Sequence, residues 1–290
     1  MTYAGWIILT ASLVGLTCGL IGVFLILRKM AMMADAISHT VLLGIVVAFL
    51  ITRELHGPHM LIGAVLAGIL TAFLIQWLHS LGVEHHASMG IVFTTLFAIG
   101  VILIATSVGN AHLDIQHALM GEITFIPWNT ITLPLIGQIP EATALLGLAF
   151  VIVLFFIIAF YKEWKITSFD PALAASLGIP VVAMHYLFMS LVSVTTVASF
   201  DAVGAIMVVA MLITPAAAAY LWTDKLSGML VLSGSFGVIA AVTGYYIAAW
   251  IDTSISGSMA FATGLIFLVS FICAPKHGMV GRLIRPAEVV

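Results

Sequence analysis

Residues 6–29 read W-I-I-L-T-A-S-L-V-G-L-T-C-G-L-I-G-V-F-L-I-L-R-K, an uncharged run closed by two basic residues. As an α-helix the 22 positions before Arg28 rise about 33 Å at ~1.5 Å per residue, enough to cross a hydrocarbon core of ~30 Å. The pair Arg28 and Lys29 then marks an end expected to stay in the cytoplasm. The preceding M-T-Y-A-G-W has no basic n-region, so the run is expected to be a retained helix and not a cleaved signal. The rest of the chain repeats this composition. Of 290 residues 63% are hydrophobic, the mean hydropathy is +1.25, and only nine Lys/Arg and twelve Asp/Glu are present. No soluble fold has so little polar surface to cover itself, and the reading is an all-α polytopic membrane protein forming a single transmembrane domain over residues 1–290. The net charge of −3 excludes a nucleic-acid-binding logic. Cys18 and Cys273 lie in apolar segments far apart in sequence and have no metal-site spacing.

Apolar runs of spanning length fall at 6–27, 36–52, 60–78, 89–108, 141–161, 181–199, 203–222, 226–250 and 256–274, which predicts nine helices. If they alternate strictly, Arg28, Lys29, Lys162, Lys165, Lys225, Lys276, Arg282 and Arg285 share one side, and only Arg53 lands on the other. The positive-inside rule then places the N-terminus outside and the C-terminus in the cytoplasm.

Two stretches do not read as spans. Residues 109–140 carry Asn110, His112, Asp114, His117, Glu122, Pro127, Pro134 and Pro140 and are expected to form an external loop with room for a short helix. Residues 162–180, K-E-W-K-I-T-S-F-D-P-A-L-A-A-S-L-G-I-P, form the longest cytoplasmic segment between spans. Ser168 or Asp170 can cap a helix that has Pro171 in its first turn, helix formers such as Ala174 in its body, and Gly178 then Pro180 at its end. A plain connector does not need both ends punctuated, whereas a docking helix does. In the seventh span Gly204 and T-P-A-A-A-A at 214–219 suit either close packing along a path or a simple proline kink.

Residues 30–41 read M-A-M-M-A-D-A-I-S-H-T-V. If residues 33–39 are helical, Asp35 and His39 are one turn apart on one face. Carboxylate plus imidazole suits manganese, iron or zinc, and ionisable groups at a membrane helix need a partner, water or an ion. The residues alone leave the alternative open that Asp35 caps the second helix and His39 bonds a nearby backbone. His185 and Asp201 are further near-membrane candidates, with helix capping the simpler role for Asp201. His56 and His59 in H-G-P-H, and Asp114 and His117 in H-L-D-I-Q-H, read as solvated loop residues; the sequence E-H-H at 84–86 is expected in a cytoplasmic loop. The chain has neither G-x-x-x-x-G-K-[ST] nor G-x-S-x-G, so ATP hydrolysis or serine hydrolase chemistry is not expected of it.

The stretch G-L-I-G-V-F-L-I-L-R-K-M-A-M-M-A-D-A-I-S-H-T-V-L-L-G-I-V (19–46) resembles the signature of the permease subunits of bacterial ABC importers for manganese, zinc and iron, the ABC-3 family. Residues 161–180 and 203–219 are similar to two further segments of that family, in its order and spacing. The sequence departs from the family pattern at Ala34, where many members have Gly, at Thr40, where many have Ala, and in extra Pro-containing residues at 127–140. The resemblance implies a permease of the vitamin-B12-importer-like (type II) architecture in the bacterial plasma membrane. It implies a second copy as partner, two cytoplasmic ATPase subunits, an extracellular metal-binding lipoprotein, and a transported divalent ion, manganese favoured, in place of a resident cofactor. The family's metal-path residues map onto Asp35 and His39, and its ATPase-docking helix onto residues 168–180 with Ser168, Asp170, Pro171, Ala174 and Gly178. The rival readings are an importer of metal chelates such as siderophores or corrinoids, and a cation-coupled secondary carrier. The Asp–His pair argues against the first and the docking helix against the second.

Overall fold

A computed structural model describes residues 2–53, 58–107, 123–128, 130–133, 137–276 and 278–279. The long helices are α1 (Tyr3–Leu27), α2 (Ala31–Thr52), α3 (Pro58–Ser80), α4 (His85–Ser107) and α5 (Glu141–Ala159), then α8 (Val181–Val203), α9 (Ala205–Trp222), α10 (Leu226–Ile251) and α11 (Ile255–Cys273). Two short helices, α6 (Tyr161–Phe169) and α7 (Pro171–Ser176), lie between α5 and α8. Among the described residues nine helices are long and apolar enough to cross a membrane, and they are the nine expected from the sequence. The second begins at Ala31, five residues ahead of the expected 36, because M-A-M-M-A-D-A keeps high helix propensity after its hydropathy has dropped. The fourth begins at His85, so His85 and His86 form its first turn; Glu84 caps it by accepting from the Ala87 amide at 2.9 Å.

Helix α1 is the hub, packed on α5, α8, α9 and α10. In lipid, helices associate through close packing and hydrogen bonds, and α1 uses both. Gly15 lies against Gly237 of α10 so closely that a Cβ on Gly15 would stand 2.6 Å from the Gly237 carbonyl carbon. One turn on, Ser233 donates to the Gly19 carbonyl at 2.8 Å. The hydroxyls of Thr10 and Thr143 join α1 to α5 at 2.6 Å, and Cys18 Sγ meets Ser199 Oγ of α8 at 3.5 Å. Helices α2, α3 and α4 form a second group, joined where Gly44 faces Gly63 and where Thr71 Oγ1 donates to Thr40 Oγ1 at 2.7 Å.

The contacts fix which helix ends lie together. Arg28 at the end of α1 bonds to Ser168 of α6, α10 runs antiparallel to α1, and Lys276 after α11 pairs with Asp224 before α10. Arg28, Lys29, Lys162, Lys165, Lys225 and Lys276 therefore gather at one end, with Arg53 at the other; Arg282 and Arg285 lie outside the described residues.

At the other end the expected loop includes regular structure. A 3-10 turn, Ile123–Trp128, buries Ile123 and Ile126, and Tyr3 donates its hydroxyl to the Thr124 carbonyl. A hairpin follows, β1 (Thr130–Leu133) antiparallel to β2 (Gly137–Pro140), with Thr130 opposite Pro140. The alternating T-I-T-L and G-Q-I-P arms suit a two-stranded ribbon. Asn110, His112, Asp114, His117, Glu122, Pro134 and His56 lie outside the described residues.

Only Gly204, at φ +81, separates α8 from α9, a left-handed geometry that favours glycine. The turn lies inside the bundle. Beyond the Cys18–Ser199 contact α1 continues about 22 Å to Tyr3, while α8 has about 6 Å left before Val203. Phe200, Ala202 and Val203 are buried there, and the 3-10 turn covers the gap. Asp201, expected at the outer end of its span, thus has its backbone well below that rim.

Candidate metal-path site

Asp35 and His39 are one turn apart in α2, with His39 Nε2 3.5 Å from Asp35 Oδ1. That separation is long for a strong hydrogen bond, so the lone pairs of both groups remain available to an outside partner. The helix presents them because its opposite face is committed to the interior: Ala34, Ile37 and Val41 are buried, and Thr40 bonds to Thr71 of α3. Packing also sets the imidazole plane. Phe93 of α4 stacks on His39 at 5.7 Å and 27°, and Phe97, one turn later, meets it edge-on at 5.7 Å and 72°. Two aromatic walls therefore hold the ring and keep water from one side of it. The other side is open, with the His39 and Asp35 side chains 39% and 41% exposed.

The pair does not close a coordination shell. Among the described residues no three His, Cys, Asp or Glu side chains come together to hold a metal ion. Asp35 and His39 therefore stand as a pair on an outward face of the chain. His185 is not brought to the pair; it lines a separate cavity with Arg28, Lys29, Thr167 and Ser168. His59 sits in the first turn of α3, lining a groove between α2 and α3. His79 and His85 face each other across the α3–α4 turn at 5.3 Å between ring centroids.

The predicted docking segment divides into two helices at Asp170. Asp170 is the cap: its Oδ1 accepts from the Leu173 amide at 2.9 Å, and Pro171 takes the first position of α7. The end closes as a Schellman motif, with Ile179 N–H bonded to the Ala174 carbonyl, Gly178 N–H to the Ala175 carbonyl, and Gly178 at φ +80. Ser168 is no cap; it accepts a hydrogen bond from Arg28 Nε at 3.0 Å. The segment is seated by Trp164, fully buried against Phe24 and Phe188 at 5.4 and 5.8 Å, and by Ala174, also fully buried. Its outward face carries Phe169, Leu173 and Leu177, exposed by 57%, 49% and 61%. This apolar stripe at i, i+4, i+8 was readable in the sequence as spacing, but it straddles the Asp170–Pro171 break.

The sequence profile described as the ABC 3 transport family matches residues 2–274. The chain is 55% identical over 285 residues to the manganese transport system membrane protein MntD of Bacillus subtilis (strain 168), covering 98% of this chain and 97% of that protein. It is 40% identical to the zinc transport system membrane protein TroD of Treponema pallidum (strain Nichols), covering 95% and 75%. The solved structure of PsaBC from Streptococcus pneumoniae in complex with Fab superposes with a TM-score of 0.81 at 33% identity, covering 98% of this chain and 96% of that one.

Proposed function

This chain belongs to the ABC 3 transport family, and from that premise we propose that it is the membrane permease of an ATP-driven importer of divalent transition-metal ions. Manganese is the favoured cargo, supported by the 55% identity to a manganese transport protein; zinc and iron are the alternatives. The observation that carries the reading is the outward-facing half-site of Asp35 and His39. A second copy placed by a two-fold axis brings an equal pair, and two carboxylates with two imidazoles suit these metals better than copper(I). Four ligands shared between two chains hold an ion while the chains are together and release it when they part. The ion is cargo, held at the dimer interface on its way through.

We infer that the basic end faces the cytoplasm, with the N-terminus outside. Two separate ATPase subunits dock there on α6 and α7, where Phe169, Leu173 and Leu177 supply the apolar contact, and a metal-binding lipoprotein delivers the ion at the opposite end. A cation-coupled carrier has no use for that stripe, and a chelate importer has none for the Asp–His pair.

The test is metal accumulation in cells that carry or lack the chain. Manganese content is expected to fall in its absence while the two other metals change less; unchanged content of all three would refute transport. Leu173→Glu is expected to lower co-purification of the ATPase at least tenfold at an equal amount of permease in the membrane. Full transport without a bound ATPase would favour the secondary carrier.

A further inference from the structure

At the basic end lies a polar cavity that the metal path does not use. It measures about 260 Å³ and opens between the end of α1, the start of α8 and the α6–α7 segment. Arg28, Lys29, Thr167, Ser168 and His185 line it, and among the described residues no acidic side chain does. Arg28 is fixed within it. Its Nε donates to Ser168 Oγ at 3.0 Å and its Nη2 to Thr167 Oγ1 at 3.1 Å, and its Cζ lies 4.6 Å from the centroid of the Phe188 ring.

All of these partners are neutral. Among the described residues no carboxylate comes within salt-bridge distance of the guanidinium, and three of its five N–H donors are unused. Burial draws the Arg28 group down to about 10, which leaves it cationic at neutral pH. A largely buried cation without a counter-charge is costly, and one bound anion removes that cost. A guanidinium fork beside an ammonium, an imidazole and the Ser168 hydroxyl is the donor set that grips tetrahedral oxyanions, while the Thr167 hydroxyl donates to the Trp164 carbonyl at 3.3 Å.

We propose that this cavity is a phosphate-binding site, filled by the phosphate of an anionic lipid headgroup or by free phosphate. Its depth suits a headgroup: Arg28 and Lys29 follow immediately after the span of α1, and Val181 opens the span of α8. The exposed Val182 continues an apolar surface beside it. A phosphate held there ties α1, α8 and α6 together through one group. The proposal stands independently of which ion the protein carries.

The experiment uses the full-length chain in nanodiscs of phosphatidylcholine alone or with phosphatidylglycerol, read by lipid retention in native mass spectrometry and by the thermal midpoint. Retention of phosphatidylglycerol at least tenfold over phosphatidylcholine, with a rise in midpoint, assigns the site to the lipid. A rise produced by millimolar inorganic phosphate in phosphatidylcholine discs assigns it to the free anion. Lys29→Gln and His185→Gln keep Arg28 in place, and each is expected to weaken whichever response occurs at least threefold. The absence of both responses, or responses unchanged in both variants, overturns the proposal. It is overturned equally if neither anion acts and the variants instead lose a partner protein, which would give the cavity to a partner's carboxylate.

Discussion

Asp35→Ala is expected to lower manganese uptake a hundredfold or more while the protein remains in the membrane at its normal level. A cation that has shed most of its water needs anionic or strongly polar ligands in a low-dielectric path. In a two-fold assembly the substitution removes both carboxylates and leaves only neutral imidazoles. A loss of about 2.8 kcal/mol in holding the ion at its least hydrated point is enough for a hundredfold effect. The fold should hardly notice. The Asp35 side chain is 41% exposed and pairs with His39 on the same helix, so a stability change within about 0.5 kcal/mol is expected. His39→Gln is the matched test of the second ligand, because Gln keeps much of the bulk against Phe93 and Phe97. Uptake measured with radioactive manganese, normalised to permease in the membrane, checks both. Near-normal uptake in either variant would remove that residue from the path.

Gly22→Val is expected to destabilise the bundle strongly. A Cβ at Gly22 would overlap the Leu212 carbonyl oxygen of α9 and also press on Ala216 at 3.2 Å. The obstacle is backbone within two packed helices, so no rotamer change relieves it, and a cost of about 3 kcal/mol or more follows. Gly147→Ala is the control. Nothing stands within 4 Å of a Cβ there, and Ala in a helix interior is favoured over Gly by about 0.5–1 kcal/mol. Thermal melting of the purified proteins should therefore move in opposite directions for the two variants. Similar melting of Gly22→Val and the parent would show that α1 and α9 are not packed as described.

These effects differ in how far the sequence foretold them. The nine spans were legible because hydropathy is summed over eighteen or more residues, so local exceptions average out. The gathering of Arg28, Lys162, Lys225 and Lys276 at one end followed from their positions after alternate spans. Asp35 and His39 stood out because helical periodicity makes i, i+4 neighbours without any tertiary knowledge. The walls of that site did not stand out: Phe93 and Phe97 are apolar residues in an apolar helix, and only packing sets them beside His39. Arg28 read as a topology marker, and its hydroxyl partners lie 139 and 140 residues away. The depth of the Gly204 turn was likewise hidden, since hydropathy does not tell a turn at the rim from one inside a bundle.

In the proposed path one ion is held by the Asp35–His39 pairs of two copies. Pulsed electron paramagnetic resonance on manganese bound to the assembled permease addresses it directly. Nitrogen modulation from two equivalent imidazoles on a single manganese is expected, and it is lost in His39→Gln. Bound manganese without nitrogen coupling, or with coupling unchanged in that variant, would contradict it.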